Sequence, residues 1–102
     1  MNPPAKFTAV INRKRYSIQH STLIADDVYW NGHNMERSGH NRFLYRTKNG
    51  TFFAFHMTMW IGESDRIEAL SETEAYNLYE GPLSEHHVSA DEAFPNITIA
   101  DA

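Results

Sequence analysis

The 102-residue chain contains no cysteine. That single absence excludes a disulfide framework, a thiolate metal site and a thiol nucleophile. Long apolar runs are missing as well, and none approaches the roughly 18 residues that a membrane-spanning helix needs. The opening stretch, Met1-Asn2-Pro3-Pro4-Ala5-Lys6, lacks the apolar centre of a signal peptide. The expected location is therefore the cytoplasm. Cations are scarce in the second half: residues 51–102 hold only Arg66 against ten Asp/Glu, whereas residues 1–50 hold eight Lys/Arg against three Asp/Glu. The overall charge of −4 thus conceals a basic half and an acidic half. The two can neutralise each other across the fold, or they can form separate surfaces that steer partners.

Aromatics, by contrast, are plentiful. At 13 % aromatic and 41 % hydrophobic residues, the composition fits a folded chain with one modest core rather than a disordered one. One domain over residues 1–102 is expected, with residues 1–5 and about 96–102 as loose ends. Its centre is Arg42 to Trp60, in which two aromatic-rich runs flank Asn49-Gly50. That dipeptide supplies the positive φ values of a two-residue type I′ turn. A turn of that kind would set Thr47 opposite Phe52, Tyr45 opposite Ala54 and Phe43 opposite His56. Upstream, Lys6–Ile11 and Arg15–Gln19 alternate apolar and polar residues around Asn12-Arg13-Lys14, and read as a first hairpin. Residues 20–30 read as a short helix in preference to a strand. Asn31–Asn41, with two glycines and three asparagines, reads as a long loop.

After the central hairpin, Arg66–Leu70 reads as a strand. Ser71-Glu72-Thr73-Glu74 is a capping box that starts a helix to about Glu80, and Gly81 is expected in the left-handed cap position before Pro82. Ser89-Ala90-Asp91-Glu92 repeats the capping pattern and predicts one helical turn anchored by Phe94. Residues 96–102 read as a terminal strand or a frayed tail. The fold class is α+β: a small antiparallel sheet of about five strands, meander-like, packed against one main helix plus a short C-terminal helix.

The segments Ile11-Asn12-Arg13-Lys14-Arg15-Tyr16, Tyr29-Trp30-Asn31-Gly32, Phe43-Leu44-Tyr45-Arg46-Thr47-Lys48-Asn49-Gly50-Thr51-Phe52-Phe53 and Ile67-Glu68-Ala69-Leu70-Ser71-Glu72-Thr73-Glu74-Ala75 resemble a loose group of small bacterial proteins. These are found among the accessory genes of phages, plasmids and integrative elements. The resemblance spans roughly residues 9–95 and centres on the LYRTK-x-G-x-F-F hairpin. It implies a mobile-element accessory protein that handles a host protein, and some small acidic phage proteins of this kind inhibit CRISPR effectors. The group has no agreed catalytic residues to carry over. It often has a Gly-Gly stretch and a longer insertion after the hairpin, whereas here His56–Trp60 runs almost directly into Gly62.

Three chemistries compete for these residues. Six histidines, and the loop set His33, Glu36 and His40, admit a metal-dependent hydrolase or nuclease, although the spacing fits no recognised zinc motif. His56, among aromatics, reads as a packed residue rather than a catalyst. Arg13, Lys14 and Arg15, with Arg46 and Lys48, admit a nucleic-acid-binding module in which Tyr45 or Phe52 stacks bases. The overall acidity argues against direct nucleic-acid binding, and Arg46 and Lys48 read equally as charged gatekeepers of an edge hairpin. The preferred reading is a non-enzymatic protein-binding module, with a homodimer as another use of the same surface. Either the Leu23–Trp30 segment and the C-terminal residues cover the second aromatic face of the hairpin, or that face is exposed to a partner. The acidic residues either form a solvated surface or present carboxylates where a partner expects phosphates. The expected partner site combines Tyr29, Trp30, His33, Met35 and Glu36 with Tyr45, Arg46, Phe52 and Trp60, and with Glu68, Glu72 and Glu74. No catalytic residue, metal ligand or cofactor is assigned.

Overall fold

The computed structural model describes residues 3–28 and 40–102. Its elements run β1 (Thr8–Ile11), β2 (Lys14–Ser17), β3 (Ser21–Asp26), β4 (His40–Thr47), β5 (Phe52–Thr58), β6 (Arg66–Leu70), α1 (Glu72–Glu80), β7 (Glu85–His86) and α2 (Ala90–Ala93). Five strands form one antiparallel sheet in the order β6-β5-β4-β3-β7, while β1 and β2 pair only with each other. The α+β class and the antiparallel run β4-β5-β6 are as the sequence predicts, whereas β3 joins the sheet in place of an expected helix and β1 and β2 stand apart from it.

The central hairpin is shifted by one residue from the expected pairing. Arg46 pairs with Phe52, Tyr45 with Phe53 and Phe43 with Phe55. The loop is Lys48-Asn49-Gly50, closed by the Thr47 N–H on the Thr51 carbonyl at 2.8 Å and the Gly50 N–H on the Thr47 carbonyl at 3.0 Å. Only Gly50 takes a positive φ, 82°, so this is a type I turn followed by a left-handed glycine. The type I′ turn lies instead in the first hairpin, where Asn12 and Arg13 have φ of 52° and 67° and Ile11 pairs with Lys14. Side-chain burial decides the central register. The observed pairing gathers Phe43, Tyr45, Phe53 and Phe55 on one face, whereas a one-residue slip would set His56 among them.

That aromatic face is covered by the β1–β2 hairpin. Tyr45 stacks on Phe53 at 5.1 Å, Tyr16 meets Phe53 edge-on at 5.5 Å, and Phe7 meets Phe55 edge-on at 4.9 Å. The opposite face packs Ile24, Ala25, Leu44 and Phe52 against Ala75 and Tyr79 of α1, then Leu83, Ala93 and Phe94. Both faces of the hairpin are therefore interior over its turn-proximal part. An exposed aromatic face does not exist there, because β1 and β2 form a lid and not an extension of the sheet.

Residues 21–26 form a strand and not the expected helix. The pairing of β3 with β4 shifts between Leu23 and Ala25, so Ile24 is the extra residue of a bulge. The bulge sends Ile24 and Ala25 into the same core, and this breaks the alternation by which a strand is recognised. Asp26 is buried at the end of β3, where one carboxylate oxygen accepts the Val28 N–H and the other the His87 Nε2–H at 2.7 Å. Burial and this carboxylate push the Tyr45 phenol up to about 12, so it remains protonated.

The capping box of α1 is formed in full. Ser71 Oγ accepts the Glu74 N–H at 3.1 Å, and Glu74 Oε1 accepts the Ser71 N–H at 2.9 Å. Ser89 caps α2 through the Glu92 N–H. Gly81 ends α1 at φ −101° and not in the expected left-handed conformation; its N–H reaches the Asn77 carbonyl at 3.0 Å. Residues 96–102 add no strand, although Ile97 packs against the helix-side core. Among the described residues, no helix is long and apolar enough to cross a membrane.

Candidate interaction surfaces

Among the described residues every ion pair uses a histidine: His40–Glu63 at 2.7 Å, His56–Glu68 at 2.8 Å and His87–Asp26 at 2.7 Å. No Lys or Arg among them lies within ion-pair distance of a carboxylate. The basic and acidic halves therefore do not neutralise each other through direct pairs among the described residues, although Arg42 shares a cleft with Glu68 and Glu74.

The acidic surface surrounds the helical layer. Glu72, Glu74 and Glu80 come from α1, Glu85 from β7, Asp91 and Glu92 from α2, and Glu68 from the neighbouring edge strand β6. The hydrogen bond from the Ser71 backbone holds the Glu74 carboxyl below its ordinary value. Glu80 lies in the last turn of α1, which has no basic residue to offset the negative end of the helix dipole.

Alongside α1 the helix-side face of the sheet turns polar, where Arg42 and His56 line a cleft with Glu68 and with Glu74, Asn77 and Leu78 of the helix. Cross-strand pairing sets Arg42 opposite His56 and His56 opposite Arg66, a row of three basic side chains across β4, β5 and β6. An open cleft of about 220 Å³ is lined here by His40, His56, Met57, Thr58, Glu63, Ser64 and Arg66. Burial is the main cause that lowers the His56 pKa; Arg66 and Arg42 add to it, and the hydrogen bond to Glu68 opposes it. Glu63 accepts from both Thr58 Oγ1 and His40, and this holds its carboxyl below the usual range. Among the described residues, no group of three or more His, Asp or Glu is arranged to hold a metal ion.

At the opposite end of the strands, the tips of the two hairpins meet. Lys14, Arg15 and Tyr16 share a cleft of about 460 Å³ with Thr47, Asn49 and Thr51. Arg13 and Lys48 are exposed in the adjoining turns. The guanidinium of Arg46 packs beside Gly50, 3.3 Å from where a Cβ would project there, and its Nε is enclosed without a hydrogen-bond partner among the described residues.

The expected partner site is divided by this geometry. Tyr29, Trp30, His33, Met35 and Glu36 lie outside the described residues. Tyr45 and Phe52 are core residues, 5 % and 3 % exposed, and their rings are spent on packing rather than on a partner or a base. Glu68, Glu72 and Glu74 stand on the acidic side. Trp60, 51 % exposed, belongs with Met59 and Ile61 to a loop after β5, where the Trp60 N–H is held by Thr58 Oγ1 at 3.1 Å. Of the metal set, His40 is a strand residue bound to Glu63 and not part of the long loop. The Arg42–His56–Arg66 row escaped the sequence reading because it appears only in the correct register. His56 is half-buried in this polar row and is not packed among aromatics.

These features define a small α+β protein whose five-stranded sheet is covered by a β-hairpin on one face and by two helices on the other. A scan against protein-family models finds no match. No curated protein and no solved structure matches the chain either.

Proposed function

We propose that the protein acts by binding another protein through its acidic helical side, in the cytoplasm of a host cell. The side chains offer carboxylates where a nucleic-acid-binding groove expects phosphates, and the Arg and Lys residues of that groove would accept them through charge-assisted bonds. The protein would then inhibit a host nucleic-acid-handling complex by competition. The resemblance to mobile-element accessory proteins makes a CRISPR effector the most pointed example.

One observation carries this reading: Glu72, Glu74, Glu80, Glu85, Asp91 and Glu92 surround the helical layer, and none has a Lys or Arg partner among the described residues. Glu80 even sits at the end of α1 where a carboxylate is unfavourable. The test is to load candidate host complexes with nucleic acid and measure displacement by the wild type and by Glu80→Lys/Glu85→Lys. The charge-reversed variant loses the Tyr76–Glu80 hydrogen bond but gains a cation that suits the end of α1, so it should stay folded with a urea midpoint near that of the wild type, yet lose competition. Replacing His40 and His56 should leave competition intact. Equal competition by the charge-reversed variant would sink the reading.

A further inference from the structure

The basic end of the molecule has no role in that reading, and its construction is unusual. Arg13 is held at φ 67°, in the left-handed region that L-residues other than Asn and Asp rarely adopt. Glycine would occupy this turn position with less strain, because it has no Cβ to crowd the following carbonyl oxygen. The strained residue is thus a cation at the tip of the β1–β2 hairpin, followed directly by Lys14 and Arg15. The fold then brings a second tip beside it. Thr47, Asn49 and Thr51 from the Lys48-Asn49-Gly50 turn complete one cleft with Lys14 and Arg15, and among the described residues no Asp or Glu lines it. Arg13, Lys14, Arg15 and Lys48 have no ion-pair partner among the described residues.

We infer that the joined hairpin tips form a binding site for the phosphodiester backbone of a nucleic acid. The lining supplies the donors used on phosphate oxygens: two long cations, two threonine hydroxyls and an asparagine amide. The site contacts backbone only. Tyr16 lines the cleft but is buried against Phe53, and Tyr45 and Phe52 are interior, so among the described residues no exposed aromatic ring stands at this end to stack bases. Binding is accordingly indifferent to sequence and strongly dependent on salt. Together with the acidic helical side, this end would let the protein seat on a protein–nucleic acid complex, with each surface facing the component of opposite charge. The inference does not depend on the acidic-side reading, since the two surfaces share no residue.

The experiment is fluorescence anisotropy of a short labelled DNA duplex of mixed sequence, titrated with the intact chain over a range of salt. Contacts from Arg13, Lys14, Arg15 and Lys48 predict a slope of log affinity against log salt of about −3.6. Arg13→Gly is the decisive variant, because it relieves the backbone strain while removing a cation. It should unfold no earlier than the wild type, bind several-fold more weakly, and reduce the slope by about 1. Lys14→Gln/Arg15→Gln added to it should abolish binding. Absence of binding at low salt, a slope near zero, or full binding by the triple variant would each overturn the inference. Displacement of the duplex by polyglutamate as readily as by unlabelled DNA would assign this end to an acidic protein and overturn it too.

Discussion

Replacing Phe94 with alanine should remove a large part of the stability of the fold. Phe94 is 0 % exposed and stacks on Phe52 at 5.0 Å, with Tyr76 and Tyr79 edge-on at 5.2 and 5.4 Å. Its ring joins the C-terminal segment, α1 and the sheet. Deletion of a ring in such a site costs about 3–5 kcal/mol, transfer and cavity together. A domain of this size has only about 5–15 kcal/mol in all. With an m-value of about 2 kcal/mol/M in urea, the midpoint should fall by about 2 M. Phe94→Leu keeps most of the volume and should lose about 1–1.5 kcal/mol. Ile99→Ala, at a residue 41 % exposed, should change stability by less than about 0.5 kcal/mol. The assay is urea unfolding followed by tyrosine and tryptophan fluorescence. A Phe94→Ala midpoint within about 0.5 M of wild type, at an unchanged m-value, would refute the placement of this ring at the junction of the core.

Ser71→Ala should cost about 1 kcal/mol, since it removes the acceptor of the Glu74 N–H at the start of α1. Thr73→Ala, exposed one turn position away, should be close to neutral, and equal urea midpoints for the two variants would contradict the capping role. His56 binds its proton less readily in the folded chain than in the unfolded one, chiefly because it is half-buried. Stability therefore falls as pH drops through the ordinary histidine value of about 6.5 and levels off below the folded value, while above it His56 contributes nothing. His56→Gln should flatten that acid-side loss in denaturation midpoints measured from about pH 7.5 to about pH 5.5, and an unchanged or steeper loss would count against the assignment.

Local chemistry made the helices legible. Ser71 and Glu74 satisfy each other's backbone across one turn, and no tertiary contact is needed to see that pairing in the sequence. Phe94 was legible as an anchor for a similar reason, an isolated ring after a capped turn. The register of the central hairpin was misread because Asn-Gly serves two turn types, and only the shared face of Phe43, Tyr45, Phe53 and Phe55 separates them. His56 opposite Phe43 in the expected pairing was the available warning. The bulge at Ile24 concealed a strand by placing two consecutive apolar residues in one core. The lid formed by β1 and β2 is a long-range packing choice with no local signature, and it decided that Tyr45 and Phe52 are interior. The acidic side was visible as composition; its lack of direct cationic partners was not, since pairing depends on which residues the fold brings within reach.

The central claim is that the acidic helical side is the working surface. The most direct measurement is a paired affinity capture from host extract after nuclease digestion, with wild type and Glu80→Lys/Glu85→Lys as baits and mass spectrometry as the readout. Specific recovery of one nucleic-acid-handling complex by the wild type, lost with the charge-reversed bait, is the predicted result. The same complex on both baits, or none on either, would contradict the account.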